Sequence, residues 1–369
     1  MLKYIYISFI FVALSFAAQS QNADTTAKKA DTAKAAAPAP VLAITGSADL
    51  YYRYNFSRQV NNLTSFTNSH DQFTLGMASV KLEHKTAKLD MVADLGFGPR
   101  AKEFDYTDES AGNTVLQTIK QLYISYSPAA WVKFTGGTWA THVGYEVMDA
   151  FGNRNYSMSY MFTNGPFSHT GVRTDLTFGK NGLMIGVSNP TDYRSIPAGG
   201  QSNKNLIAQY SYAASDNFKF FLNYVGGRDI GDNKVHQYDL VVNAKASSTF
   251  SLGLNGTVNR SSYKADNYAT GHTWWGSALY LNLDPMPWFG LTLRSEYFSD
   301  KDGIKLHPTG GATGANVFAN TLSANFKVDG FIFIPEFRLD NGSETLFTKH
   351  DGTATKSTGS FLLAAIYSF

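Results

Sequence analysis

The sequence has 369 residues, with 31 Lys and Arg against 29 Asp and Glu, so its formal net charge of +2 gives no reason to expect a nucleic-acid partner. Charged residues make up only 16% of the chain while Gly, Tyr and Phe are abundant, and beyond the N-terminus no apolar run is long enough for a transmembrane helix. The absence of cysteine excludes disulfide bonds and cysteine-ligated zinc, so stability must come from packing and backbone pairing.

The N-terminus, residues 1–20, has the layout of a secretory signal peptide. Lys3 precedes an apolar run over residues 4–18, and small residues follow it. An uncleaved membrane anchor is the alternative, although the apolar run is short for a span. Residues 21–40 are rich in Ala, Thr, Lys and Pro and carry no aromatic side chain. We therefore expect them to form a disordered periplasmic spacer.

From residue 41 onward, apolar and polar side chains alternate along one segment after another. In the first segment Leu50, Tyr52 and Tyr54 share one phase, whereas Asp49 and Arg53 share the other. Successive side chains of a strand point to opposite faces, so each segment predicts a strand with one apolar and one polar face. A length of about a dozen residues exceeds the usual five or six of soluble strands and suits a bilayer.

Sixteen such segments can be counted, with fourteen or eighteen as the alternatives. Two of them, near residues 73–84 and 114–126, have a phase that the alternation does not settle. Short and long connections alternate, and an even strand number places both termini on the side of the short turns, as in bacterial outer-membrane barrels. We predict an all-β fold, a transmembrane antiparallel up-and-down β-barrel over residues 41–369.

A soluble barrel would show the same alternation, but two further features favour a membrane barrel over a soluble one. The polar phase carries charges of both signs on many strands, which is typical of a polar lumen. Aromatic side chains also crowd the strand ends beside the short turns, where amphipathic rings favour the headgroup region. These residues are Tyr126, Trp131, Phe178, Phe218, Phe250, Trp288, Phe289, Phe331, Tyr367 and Phe369.

The longest connection, residues 142–171, follows the fifth strand and lacks a sustained period of two. A barrel of sixteen strands encloses an aqueous channel, and we predict that this loop folds inward and narrows it. The loop residues expected at the constriction are Glu146, Asp149, Arg154, Asn155, Tyr156, Ser157 and Tyr160. The charges expected on the pore wall are Arg53, Asp94, Lys133, Arg173, Asp239, Arg294, Glu296, Glu336 and Arg338. In the alternative interpretation, Asp149 and Arg154 form a salt bridge that holds the loop to the wall.

The C-terminal strand, with Leu363, Tyr367 and Phe369 in one phase, looks like the strand by which outer-membrane barrels are recognised for assembly. The loop carries a second likeness, made of Asp149, Arg154, Asn155, Tyr156, Ser157, Tyr160, Phe162, Pro166, His169, Thr170 and Gly171. This arrangement resembles the OmpL-like putative β-barrel porin family of Bacteroidota and related bacteria, over roughly residues 45–369.

The resemblance implies an outer-membrane porin that passes small hydrophilic solutes. Outer-membrane lipid and the barrel assembly machinery are then the expected partners, the latter through the strand that ends in Phe369. A homotrimer is expected by analogy with other sixteen-stranded porins. The small residues Gly46, Ala48 and Ala365 beside the closing seam would permit close subunit contact, and the alternative is that they lie against lipid.

Two other functions compete with a channel. One is a plugged barrel that acts in binding or adhesion. The other is a barrel hydrolase, which would need Ser157 beside His142 or His169, without any motif of the known families. The eight histidines lack metal-ligand spacing, so we predict no metal and no cofactor. Wall charges of both signs nearly balance, and we expect modest ion selectivity at most.

Overall fold

The structure is a computed structural model that describes residues 41–105 and 115–369. The expected signal peptide, residues 1–20, and the expected spacer, residues 21–40, lie outside the described residues. The described chain forms a closed barrel of sixteen antiparallel strands, which confirms the predicted fold and strand number. No helix in this part of the chain is both long and apolar enough to cross a membrane.

The barrel strands follow one another around the ring, and each pairs with its neighbours in sequence. They are β1 (Val41–Asn55), β2 (Gln72–Lys85), β3 (Leu89–Phe97), β4 (Ile119–Ala129), β5 (Val132–Ala140), β6 (Ser168–Phe178), β7 (Asn181–Ser188), β8 (Asn205–Ser215), β9 (Phe218–Arg228), β10 (Lys234–Lys245), β11 (Phe250–Ser262), β12 (Gly271–Met286), β13 (Phe289–Asp300), β14 (Ala315–Val328), β15 (Phe331–Gly342) and β18 (Ser357–Ser368).

The remaining elements lie in the long connections. A small hairpin, β16 (Phe347–Thr348) with β17 (Ala354–Thr355), precedes the last barrel strand. Two short helices, α1 (Pro99–Phe104) and α2 (Tyr160–Asn164), follow β3 and β5. Single 3₁₀ turns are Leu116–Thr118, Ala150–Gly152 and Lys264–Asp266.

The barrel closes between β1 and β18. The backbone of Gly46 exchanges two hydrogen bonds with that of Phe369, at 3.1 and 3.0 Å. A Cβ added at Gly46 would lie 2.7 Å from the Phe369 ring, so the glycine allows the terminal ring to lie over the seam. Of the three small residues expected to permit close subunit contact, Gly46 is covered by this chain's own Phe369.

β-bulges explain why the alternation left two strands without a phase. The pairing of β1 with β2 shifts between Ala48 and Leu50. On β2, Leu75 and Val80 both point outward although they are five positions apart, and Met77, two positions from Leu75, points inward. Similar shifts occur between β3 and β4 and between β4 and β5. An extra residue in one strand reverses the face of every side chain beyond it.

The apolar phase of the strands faces outward, as the membrane prediction requires. Leu122, Ile124 and Leu322 are each about half exposed on the outer surface. Eight of the ten aromatic residues beside the short turns are exposed as well, with Trp131 at 55% and Trp288 at 53%. In water such a band would aggregate, whereas lipid tails and headgroups match it.

Candidate functional site

The connection between β5 and β6, residues 141–167, is here called the lumen loop. It is slightly shorter than predicted, because residues 168–171 already belong to β6. Near its start Gly144 N–H donates to Asp239 on β10 at 3.1 Å, and further on the Tyr156 hydroxyl donates to Asp49 on β1 at 2.5 Å. Strands β10 and β1 lie on opposite sides of the ring, so the loop crosses the interior.

Glu146 and Arg294 form a buried ion pair between the loop and β13. The same guanidinium donates to the Ser157 carbonyl at 2.7 Å and to Thr321 Oγ1 at 3.1 Å. The second carboxylate oxygen of Glu146 accepts the Ser159 N–H at 2.8 Å. Both partners are almost fully buried. The pair therefore ties two parts of the loop to each other and to the wall.

Two wall carboxylates hold the loop by its backbone. Glu336 on β15 accepts the N–H groups of residues 156–157 at 2.7 and 3.1 Å. Glu296 on β13 accepts those of residues 160–161, both at 2.9 Å. Hydrogen bonds to a charged acceptor contribute about 1.5–3 kcal/mol each when buried. These four bonds do not depend on which side chains the loop carries.

Arg338 on β15 completes this attachment. Its Nη1 donates to the Met158 carbonyl at 2.7 Å, and its Nε donates to Asp340 at 2.8 Å. The guanidinium carbon lies 5.4 Å from the centre of the Tyr160 ring, and the Tyr160 hydroxyl donates to Asp340 at 3.0 Å. The predicted wall charges Arg294, Glu296, Glu336 and Arg338 thus fasten the loop and are buried by it.

Asp149 and Arg154 also contact the wall, and each does so separately. Lys120 on β4 lies between Asp149, at 2.5 Å, and Asp94, at 3.0 Å. Arg154 forms a bidentate pair with Asp284 on β12, with one bond of 2.9 Å. In the alternative interpretation Asp149 and Arg154 pair with each other to hold the loop to the wall; in the structure both hold it to the wall, and each pairs with a wall residue instead. Asn155 in turn donates to Ser323 on β14 at 2.7 Å.

Four charged residues that contact the loop gave no usable signal in the sequence. Arg100 lies in the short helix α1, where no alternation marks its orientation, and its guanidinium stacks on Phe66 and Tyr156 at 4.7 and 4.8 Å. Lys120 lies on a strand whose phase a bulge reverses. Asp284 sits next to a proline turn and Asp340 near a strand end, so neither position indicated a contact with the loop.

Apolar side chains fill much of the space between the loop and β12–β14. Tyr145 stacks on Tyr280 with ring centres 4.0 Å apart. Met161 of α2 packs against Trp274 and Phe298, which point inward from β12 and β13. The alternation predicted a polar inner wall on these strands, and the structure corrects this. An inward-folded loop needs an apolar surface to pack on, and the wall supplies it.

The remaining predicted wall charges differ in exposure. Arg53 is buried and donates to the carbonyls of Val60 and Ser69 at 2.7 and 2.8 Å, so it holds an outer loop. Asp239 and Asp94 are also buried. Lys133 and Arg173 stay partly exposed to the lumen. Arg173 lies 3.4 Å from Asp175 and stacks on Trp139.

The two histidines at the loop, His142 and His169, make hydrogen bonds and ring contacts within the barrel. His142 Nε2 donates to the Tyr224 carbonyl at 3.1 Å, and its ring centre lies 5.0 Å from that of His169. Burial lowers the pKa of His142 to about 4, because desolvation disfavours the imidazolium. His169 bonds to Thr141 Oγ1 at 3.0 Å.

Ser157, the proposed nucleophile of the hydrolase alternative, has other neighbours. Its hydroxyl accepts a hydrogen bond from Arg338 at 3.4 Å, and neither His142 nor His169 bonds to it. Over residues 41–105 and 115–369, no three His, Asp or Glu side chains are grouped so that they would bind a metal ion.

Comparison with solved structures shows that the fold is that of bacterial porins. An anion-selective porin from Comamonas acidovorans superposes with a TM-score of 0.60 at 8% identity, over 90% of this chain and 100% of that one. The trimer form of in-vitro folded OmpT from Vibrio cholerae gives 0.58 at 9% identity, with the same shares. OmpT expressed in the outer membrane of Vibrio cholerae gives 0.57 at 10% identity, over 90% and 98%.

No curated protein matches the sequence. A family model does match, over residues 41–369, which is the barrel from the first residue of β1 to the C-terminus. Its description is "Putative beta-barrel porin-2, OmpL-like". The chain thus belongs to the OmpL-like beta-barrel porin-2 family and is an outer-membrane porin.

Proposed function

We propose that this porin lets small hydrophilic solutes diffuse passively and that the lumen loop sets the width of the passage. The observation that carries the proposal is the attachment of the loop to opposite sides of the barrel, through β10 and β1. A loop held at both sides of a wide lumen divides it into a narrower path. Glu146, Asp149, Arg154, Asn155, Tyr156, Ser157 and Tyr160 serve the constriction by fixing the loop's position.

The proposal is tested by single-channel recording in planar lipid bilayers. The purified protein is expected to insert with stepwise current. Replacing residues 143–166 by a short Gly-Ser linker should raise the unit conductance, because the wall alone encloses a wide channel. Shortening the external hairpin tip, residues 349–353, is the control and should leave it unchanged. Equal conductance with and without the lumen loop would contradict its role as the constriction.

A plugged barrel that binds a partner is the second candidate, and the apolar packing around α2 favours it. The same recordings distinguish the two functions. A plugged barrel inserts without current and conducts only after the lumen loop is replaced. A protein that shows no steps even then would contradict the channel altogether.

The fold and family support a channel rather than an enzyme, and the hydrogen bonds of Ser157 agree with that choice. Purified protein is expected to show no turnover of phospholipid or peptide substrates. Hydrolysis that disappears in Ser157→Ala would overturn this expectation.

We further propose that the chain is exported by a cleaved signal peptide, carries a periplasmic spacer and assembles as a homotrimer. The trimer form of the structurally similar OmpT supports the last point. Mass spectrometry of the outer-membrane fraction should find a mature chain that begins near residue 21. Cross-linking in native membranes should yield a species of three subunits, and a monomer alone would contradict the trimer.

A further inference from the structure

The charges on the inner wall fall into two groups according to their burial. The first group lies under the lumen loop or the outer loops and is buried: Arg53, Asp94, Asp239, Arg294, Glu296, Glu336, Arg338 and Asp340. Its members form ion pairs or hydrogen bonds with the wall, the loops or backbone groups, as described above. They are not in contact with an open path.

The second group keeps part of its surface exposed, and most of its members lie towards the short turns. Its basic members are Lys81, Lys85, Lys133, Arg173, Lys219, Lys245 and Lys327 of the strands, with Arg154 of the lumen loop. Its acidic members are Glu83, Asp90, Asp175 and Asp284. We call these twelve residues the turn-side vestibule.

The inward direction of these side chains follows from strand register. Lys133 is two residues from Thr135, which is buried on the inner face and bonds to Ser125 at 2.9 Å. Lys245 shares its phase with the buried Asp239. The same parity applies to the other strand members of the vestibule, so their charges border the lumen.

Ion pairing within the vestibule leaves an excess of positive charge, because two of its carboxylates each pair with two basic side chains. Glu83 lies between Lys81, at 3.6 Å, and Lys85, at 2.9 Å. Asp284 binds Arg154 and also lies 3.7 Å from Lys327.

The cluster of Lys120 with Asp94 and Asp149 carries a formal charge of −1 next to the vestibule. It offsets only part of the excess, since basic residues outnumber acidic ones in the vestibule by eight to four.

We propose that the turn-side vestibule concentrates small anions, so that the porin passes anions in preference to cations. This inference rests on the proposed channel function and names its solute class. A lumen lined by one excess sign and enclosed by low-dielectric walls raises the local concentration of the opposite ion. The attraction reaches about 8 Å at physiological ionic strength, so it acts across a narrowed path.

The test is the reversal potential of the purified porin in bilayers with a KCl gradient at low mean salt. We expect a chloride to potassium permeability ratio of about 3 for the wild type. Near 1 M salt the ratio should fall towards 1, because screening shortens to about 3 Å. The variant with Lys133→Gln, Lys219→Gln and Lys245→Gln should fall towards 1 already at low salt.

Two matched variants control for charge and for folding. Lys264→Gln, Lys349→Gln and Lys356→Gln remove the same total charge from exposed loops at the other end of the barrel and should keep the wild-type ratio. Arginine at the three vestibule positions keeps the charge and should keep the ratio as well.

The outcomes separate the two proposals. Absence of stepwise current refutes the channel and this inference with it. An open channel with a wild-type ratio of 1 or less refutes the anion preference alone. A ratio above 1 that survives the loss of the three vestibule lysines refutes the assignment to the vestibule.

Discussion

Burial determines how the individual charged residues of the lumen affect the stability of the barrel. Arg294 has no exposed surface and binds Glu146, which is itself almost buried. The attraction between two such groups roughly offsets the cost of removing them from water, so an intact pair adds little stability. Removing one partner has a much larger effect, because the other is left as an uncompensated charge.

We therefore predict that Arg294→Met lowers the free energy of unfolding by about 3–5 kcal/mol. Adding Glu146→Leu should recover part of that loss, since no unpaired charge then remains. Urea titration in detergent micelles measures both changes. Lys349→Met, at an exposed loop tip, is the control and should change stability by less than about 0.5 kcal/mol. A double variant no more stable than Arg294→Met would contradict the explanation.

His142 gives the lumen loop a pH dependence. Its pKa is lowered to about 4, so its contribution to stability is complete above its ordinary pKa of about 6.5 and is lost as the pH falls towards 4. Because the ring is only partly buried, we expect a loss of about 1–2 kcal/mol between pH 6.5 and 4, relative to His142→Gln.

Measuring the free energy of unfolding of the wild type and His142→Gln at pH 7 and pH 4 tests this difference.

Burial raises the pKa of Asp192, in the loop after β7, to about 6. A raised carboxyl pKa gives stability that is present at low pH and is lost as the pH rises from about 4 through 6, opposite in sign to the effect of His142. Asp192 is present in both proteins, so its contribution to the pH dependence of stability cancels when the wild type is compared with His142→Gln. A wild type and variant that respond equally to pH would contradict the assignment.

At the residue level, alternation predicts only the face of the strand on which a side chain lies. The phase of a strand shows that Arg294, Glu336 and Arg338 face the lumen. It does not show that the lumen loop will cover them, because that depends on which loop residues reach which wall position. Contacts between residues more than a hundred positions apart, such as Tyr156 with Asp49, leave no local pattern.

At the level of elements, a period of two located the strands, counting them gave their number, and the alternation of short and long connections supported that count. The long interval after β5 lacked that period and had the position expected of an inward loop. Bulges were not predictable, since one inserted residue resembles an irregular sequence. The short helix α2 was not predicted either. It has about one turn, packed near Trp274 and Phe298, and one turn is too short to show a helical period in the sequence.

The close approach of β4 to β5 explains why position 137 requires a glycine. Gly137 on β5 has a φ of 134°, and a Cβ there would lie 2.2 Å from the Leu122 carbonyl oxygen on β4. We expect Gly137→Ala to cost about 2–4 kcal/mol through strain and separation of the strands. Gly256→Ala on β11, where a Cβ meets nothing within 4 Å, is the matched control. Urea unfolding that fails to separate the two variants would contradict this account.

The whole barrel depends on its single closing seam. Deleting Phe369 removes two backbone hydrogen bonds to Gly46 and the ring that covers it. We expect a loss of about 1–3 kcal/mol from the two bonds, together with a lower yield of barrel in the outer membrane. Phe369→Tyr keeps the backbone bonds and an aromatic ring, and should assemble normally. Equal yields of the deletion and the wild type would contradict a role for Phe369 in assembly.

The carboxylates of Glu296 and Glu336 bind peptide N–H groups, which every amino acid except proline provides. These four backbone bonds therefore survive a change of side chain in the lumen loop, whereas the bonds of the Tyr156 and Tyr160 hydroxyls do not. Relatives that retain the two glutamates should keep this backbone attachment whatever side chains stand at positions 156, 157, 160 and 161. Proline is the residue that they should exclude there.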